Sequence, residues 1–217
     1  MIRFLKISQA MNNSDELIQY AGTLRDKMWK TKGSRFNAVR RLNKKNQWSI
    51  ASISILSVYG ISIPIIQSNM DSTQCPQVNS WYNLIAILLS IFILVLSLLE
   101  GSQNYQIRAE RLHQSAMEIS ALHSKLDYLF KCQLQDKRLS SKLEKIVMRY
   151  EELVSNCPEN HEIDDYTLFR VQHRDYFKIC KIYAKCIEIK LFFQNYWLYI
   201  FFVVSIPPLV ISLYLSC

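Results

Sequence analysis

Between Trp81 and Leu99 the chain reads WYNLIAILLSIFILVLSLL, and no charge appears before Glu100. At about 1.5 Å rise per residue this run covers roughly 28 Å, close to the thickness of a hydrocarbon core. A soluble helix of that length would turn a polar face to water every turn. Here the polar interruptions are uncharged, so the run predicts a membrane-spanning helix. Two further uncharged runs follow the same rule: Trp48–Gln67, and Phe192–Leu215, which opens on a dense aromatic cluster of the kind found at membrane interfaces. The first residues, MIRFLKISQAMNNSDE, hold too short an apolar stretch for a cleavable signal peptide, so the Trp48–Gln67 run is expected to stay in the mature chain.

The net charge of +8 is informative through its location. Residues 1–47 hold 11 Lys or Arg against 3 Asp or Glu, whereas residues 48–217 hold 15 of each. The excess therefore sits beside the first span, in RFNAVRRLNKK. Basic residues crowding a span mark its cytoplasmic side and attract anionic lipid. Arg35, Arg40, Arg41, Lys44 and Lys45 are accordingly expected to face lipid headgroups at the membrane surface. A nucleic-acid contact through the same block is the weaker alternative. Residues 68–80 carry no Lys or Arg and are expected outside.

The predicted organisation is an all-α membrane protein. Residues 1–47 form basic cytoplasmic helices. Residues 48–99 form a transmembrane hairpin with spans at 48–67 and 81–99. Residues 100–190 form a cytoplasmic helical domain, and 191–217 a third, C-terminal membrane segment. A helix is predicted from a cap at Asn13 or Ser14 to about Lys30. Gly33-Ser34 is read as punctuation, with a second helix starting near Arg35. Beyond Gly101, apolar residues from Ile107 to Leu129 and from Leu139 to Leu153 recur at helical spacing. SNCPENHEIDD interrupts them, and Tyr166–Lys190 is read as one helix leading into the third span.

Little in the chain carries catalytic chemistry. Four glycines, none clustered, exclude a phosphate-binding glycine loop or a dinucleotide fingerprint. The four histidines are scattered, and His173, Cys180 and Cys186 match no zinc spacing. No enzyme activity, cofactor or metal is expected. Cys132, Cys157, Cys180 and Cys186 belong to the reducing side, and Cys75 and Cys217 to the outside.

Three features remain as candidates. Asn83, Ala86, Ser90, Ser97 and Gly101 fall on one stripe about 60° wide around the second span. Such a stripe either packs helices closely or lines a polar pore in an oligomer, and Phe92 and Leu96 are expected to face elsewhere. Two or three spans cannot enclose a pathway alone, so conduction would require a homo-oligomer. Pro207 and Pro208 lie deep in the third run and predict a kink, with a re-entrant or gating element as the alternative. Finally, Glu159, Asn160, His161, Asp164 and Asp165 form an acidic segment. It is read as a helix–helix turn, with Pro158 ending one helix and Asp164 or Asp165 capping the next. A protomer or ligand contact at this turn is the alternative.

The stretch MWKTKGSRFNAVRRLNKKNQWSIASISILSVYGISI, the second span with YQIRAERLHQSAMEISALHSKL, and ENHEIDDY together resemble the SLATT domains, the SMODS and SLOG-associating two-transmembrane effectors, and most closely their fifth subfamily. The resemblance runs from about Ser14 to about Lys190. It implies a bacterial antiphage or conflict-system effector in the inner membrane. Such an effector would act beside a nucleotide-signal synthetase or a reverse transcriptase and form a pore when triggered. The third span departs from the two-span pattern. The rival readings are a non-conducting membrane anchor that recruits a partner, and a membrane-tethered nucleic-acid-binding protein.

Overall fold

The computed structural model describes residues 14–68, 76–132 and 138–215. The Asn13 cap, Asp71, Cys75 and Cys217 lie outside the described residues. Seven helices are described: α1 (Ser14–Ser68), α2 (Pro76–Ser102), α3 (Tyr105–Cys132), α4 (Leu139–Ser155), α5 (Ile163–Gln172), α6 (Arg174–Phe177) and α7 (Lys181–Leu215). No strand occurs among the described residues. Two compact units result. One comprises residues up to Arg41 with Ile107–Ala184, the other Leu42–Gln106 with Lys185 onward.

Helix α1 is uninterrupted, so the break expected at Gly33-Ser34 does not occur. Gly33 has a different role. A Cβ there would collide with the ring of Phe169, so the glycine admits that ring against the helix backbone. The seam of α1 is a sustained heptad. Ala21, Met28, Arg35, Leu42, Ser49, Leu56 and Ile63 follow one another at seven-residue spacing, and all are buried. A strict seven-residue repeat keeps one face inward along a long helix. The seam is apolar at both ends, and polar Arg35 and Ser49 flank Leu42 between them.

In the first unit, Ala21, Leu24 and Met28 of α1 pack against Ile119, Leu122 and Leu126 of α3 and Leu143, Ile146, Val147 and Tyr150 of α4. These are the three-and-four-spaced residues of the sequence, so periodicity locates this core. The expected Tyr166–Lys190 helix is instead broken twice. α5 ends at His173, whose Nδ1 pairs with the Phe169 carbonyl at 3.0 Å, and Lys178 adopts a left-handed conformation with φ 53°. The breaks have a packing cause. They gather Phe169, His173 and Tyr176 edge-on around the Trp29 ring at 4.8, 4.9 and 5.0 Å, with Phe177 stacked at 6.4 Å. In a straight helix those four side chains share one face but are strung over about 12 Å of axis, too far apart to meet one indole.

The second unit packs three apolar helices. Leu56 and Ile63 of α1 meet Tyr82 and Leu89 of α2, with Phe202, Ile206 and Val210 of α7 alongside. Phe92 lies 4.8 Å from Phe202, and Trp48 stacks on Tyr196 at 6.0 Å. The Tyr82 hydroxyl donates to the Val210 carbonyl at 3.2 Å, and Tyr199 donates to Glu100 at 2.9 Å. Elsewhere the surface is apolar: Ile61, Leu94, Leu98 and Val204 are all more than 60% exposed. Three helices are long and apolar enough to cross a membrane. Exposed apolar patches of this kind are untenable in water, and the chain is a membrane protein. Helix α7 continues through Pro207 and Pro208, as α1 does through Pro64.

Candidate functional site

The two charged segments singled out in the sequence meet each other. The Ser34–Arg41 stretch of α1 faces the acidic turn between α4 and α5. Arg41 donates from Nε and one Nη to the two Asp165 carboxylate oxygens at 2.8 and 3.0 Å, and its other Nη reaches Glu162 at 3.0 Å. Arg41 and Asp165 are 8% and 2% exposed, whereas Glu162 is half in solvent. Burial works against the guanidinium charge, but the hydrogen bonds and charge of Asp165 outweigh it and raise the Arg41 pKa. Asn37 Nδ2 donates to the Asp165 carbonyl at 3.1 Å, and Arg40 donates to Asn37 Oδ1 at 2.6 Å.

The turn is organised locally as well. Glu162, rather than Asp164 or Asp165, is the N-cap of α5. Asp165 sits three residues on and accepts from the Glu162 backbone N–H at 2.8 Å, which completes a capping box. The E-x-x-D spacing of the capping box is present in the sequence, and the cap lies two to three residues before the expected Asp164 or Asp165. Glu159 holds the start of the turn to α3 through Arg108 at 3.1 Å and Arg111 at 3.9 Å. The Asn160 side chain accepts from the His161 N–H at 2.9 Å, and Asp164 is half-buried.

Arg35 and Arg41 therefore do not face lipid. Both are buried, because each is spent on a partner in its own chain: Arg41 on the turn, Arg35 on the Ser115 hydroxyl of α3. Arg40 and Lys44 are exposed, and Lys45 is half-buried. Two buried nitrogens beside this lock, Arg35 Nε and His161 Nδ1, have no hydrogen-bond partner among the described residues. Burial, and next the Arg35 charge, lower the His161 pKa and keep the ring neutral. Within the single chain described, the turn contacts α1 and α3. His173 belongs to the Trp29 cluster, and Cys180 and Cys186 are exposed.

On α2 the inward face is Tyr82, Ile85, Leu89, Phe92, Ile93 and Leu96, so Phe92 and Leu96, expected to face elsewhere than the stripe, pack within the chain, and Ala86 of the stripe packs there as well. They do so because large side chains at heptad spacing interdigitate with α1 and α7. The small-residue stripe is centred roughly 110° round the helix from the large residues of that seam. Ser90, Ser97 and Gly101 are exposed and Ala86 is partly buried. Asn83 is exposed and accepts from Gln67 Nε2 at 3.0 Å, and the same nitrogen donates to Asn79 Oδ1 at 2.6 Å. These bonds clasp one end of the hairpin.

A family model described as SMODS and SLOG-associating 2TM effector domain family 5 matches residues 19–214. No curated protein and no solved structure matches the chain. The matched region continues past Lys190 and takes in nearly all of α7, so the third apolar helix lies within the matched residues although the family description gives two spans.

Proposed function

The chain belongs to SMODS and SLOG-associating 2TM effector domain family 5, and from that premise we propose that it is a non-enzymatic effector of a bacterial antiphage or conflict system. In this reading it sits in the inner membrane with its N-terminus in the cytoplasm. The unit built on α3, α4 and α5 receives a partner or a nucleotide signal from an associated synthetase or reverse transcriptase. The α1–α2 hairpin and α7 then assemble with other copies and open a pathway for ions.

The observation that carries the reading is the division of labour on α2. Its large residues satisfy packing within the chain, while Ser90 and Ser97 remain outward among apolar neighbours. Small hydroxyl residues on an exposed membrane face suit close approach of another helix or a wetted wall. The continuity of α1, which contributes to both units, supports coupling between signal and membrane. Burial of Arg35 and Arg41 removes two of the cations that the nucleic-acid alternative would use.

Mass measurement of the full chain in nanodiscs, with crosslinking in native membranes, tests assembly. The reading expects particles larger than one chain. A chain that is monomeric in both settings removes the pore and leaves the anchor reading.

A further inference from the structure

A groove of about 550 Å³ opens in the first unit between α1, α3 and α6, within the size range of small-ligand sites. Its lining is of three chemical kinds. Trp29 and Tyr176 supply two rings at 73° with centroids 5.0 Å apart, a corner against which a flat ring can lie. Tyr176 is 57% exposed, so its ring has a free surface.

Cations form the second kind. The Arg25 side chain is half exposed, and its carboxylate contact, Asp127, is at 3.6 Å, beyond good hydrogen-bond length. Lys131 lines the groove, is exposed, and makes no ion pair among the described residues. Both have donors to spare for an anion, and a guanidinium suits phosphate especially.

The third kind is a pair of carboxylates. Asp26 is held by Lys30 at 2.5 Å and by the Tyr176 hydroxyl at 2.8 Å, and Asp127 by Arg25 and by His123 at 3.4 Å. Lys30 offsets the Asp26 charge and Arg25 part of the Asp127 charge. A carboxylate has about four acceptor sites, so each keeps acceptors for hydroxyl groups.

Gly22 adds an independent sign. It lies inside α1 on the groove wall, and nothing lies within 4 Å of where its Cβ would be. A glycine in a helix interior is about 1 kcal/mol worse than alanine. At Gly33 the Phe169 ring explains the glycine; at Gly22 nothing among the described residues does, and the groove stays open there.

We propose that this groove binds a nucleoside phosphate, with the base against Trp29 and Tyr176, the ribose hydroxyls on Asp26 and Asp127, and the phosphate on Arg25 and Lys131. A bare anion would leave the rings and carboxylates unused. A simple cation would meet Arg25 and Lys131. The inference deepens the reading of a triggered effector by naming a receptor site, but its test reads binding alone, so it stands or falls separately from ion flux.

The experiment is calorimetric titration of the detergent-solubilised full chain with AMP, GMP, CMP and UMP, and with inorganic phosphate as competitor. Gly22→Leu fills the groove while favouring the helix, and Arg25→Ala removes an anion partner. Saturable binding of at least one nucleotide is expected. It should weaken at least tenfold in Gly22→Leu, whose melting temperature should not fall, and measurably in Arg25→Ala. Absence of saturable binding by all four nucleotides overturns the proposal. So does unchanged binding in Gly22→Leu, or competition by phosphate as effective as by the nucleotide.

Discussion

Arg41 and Asp165 stand 124 residues apart in the chain and meet through two parallel hydrogen bonds of 2.8 and 3.0 Å, both side chains buried. Through this pair the acidic turn is fastened to α1 at Arg41, the residue next to the boundary between the two units.

Removing one partner of such a pair leaves an uncompensated buried charge, which costs about 3–5 kcal/mol. Asp165→Ala should destabilise most, because Asp165 also completes the capping box of α5. Arg41→Ala should follow. Glu162→Ala should cost about 1 kcal/mol, the value of a cap at a half-exposed position. Arg40→Ala, at an exposed residue, should be nearly neutral. Thermal unfolding in detergent ranks the four. Arg40→Ala proving as harmful as Arg41→Ala would show that the lock is misassigned.

Two glycines in α1 should respond with opposite signs. Gly33→Ala drives a methyl into the Phe169 ring and should cost about 1–3 kcal/mol through overpacking. Gly22→Ala meets open space and should gain up to about 1 kcal/mol from helix propensity. The comparison needs only two melting curves. Equal effects would contradict the placement of Phe169.

Acid should loosen the first unit before it affects the carboxylates. Burial, then the neighbouring cation, lowers the pKa of His161 beside Arg35 and of His123 beside Lys32, below the ordinary 6.5. The unfolded chain then binds more protons than the folded one, so stability is complete above about pH 6.5 and falls as pH drops toward the folded-state values. At Asp26, burial works to raise the pKa, but hydrogen bonds from Lys30 and Tyr176 prevail and lower it, so its loss begins only below about 3.8. Replacing both histidines by Gln should flatten melting temperature against pH just below 6.5. An unchanged slope in that variant would remove the histidines from the account.

Much of the architecture can be read directly from the chain, because apolar runs and three-and-four spacing are local properties. The three long apolar helices and the α3 and α4 sides of the core, up to Leu153, follow from them. Gly33 could not be read that way, since its purpose is a ring 136 positions later. Arg35 and Arg41 were misplaced for the same reason: charge beside a span implies lipid unless a distant acid claims it. One signal was available. The α1 heptad from Ala21 to Ile63 places Arg35 on the buried face, and a buried arginine calls for a partner. The breaks at His173 and Lys178 follow from packing on Trp29, which no local pattern encodes.

Orientation can be tested with the native cysteines. A membrane-impermeant maleimide applied to intact cells should modify Cys75 and spare Cys180, which is exposed on the first unit. Modification of Cys180 with Cys75 spared would invert the topology.

The central claim is that the chain opens the membrane through the outward stripe of α2. Membrane potential, followed with a voltage-sensitive dye during induced expression, addresses it most directly. Wild type should depolarise the cells before growth stops. Ser90→Leu should insert and fold normally, since Ser90 lies off the packing face of its own chain, yet depolarise far less. Ser90→Ala should behave like wild type. Growth arrest with the potential intact, or full depolarisation by Ser90→Leu, would contradict the account.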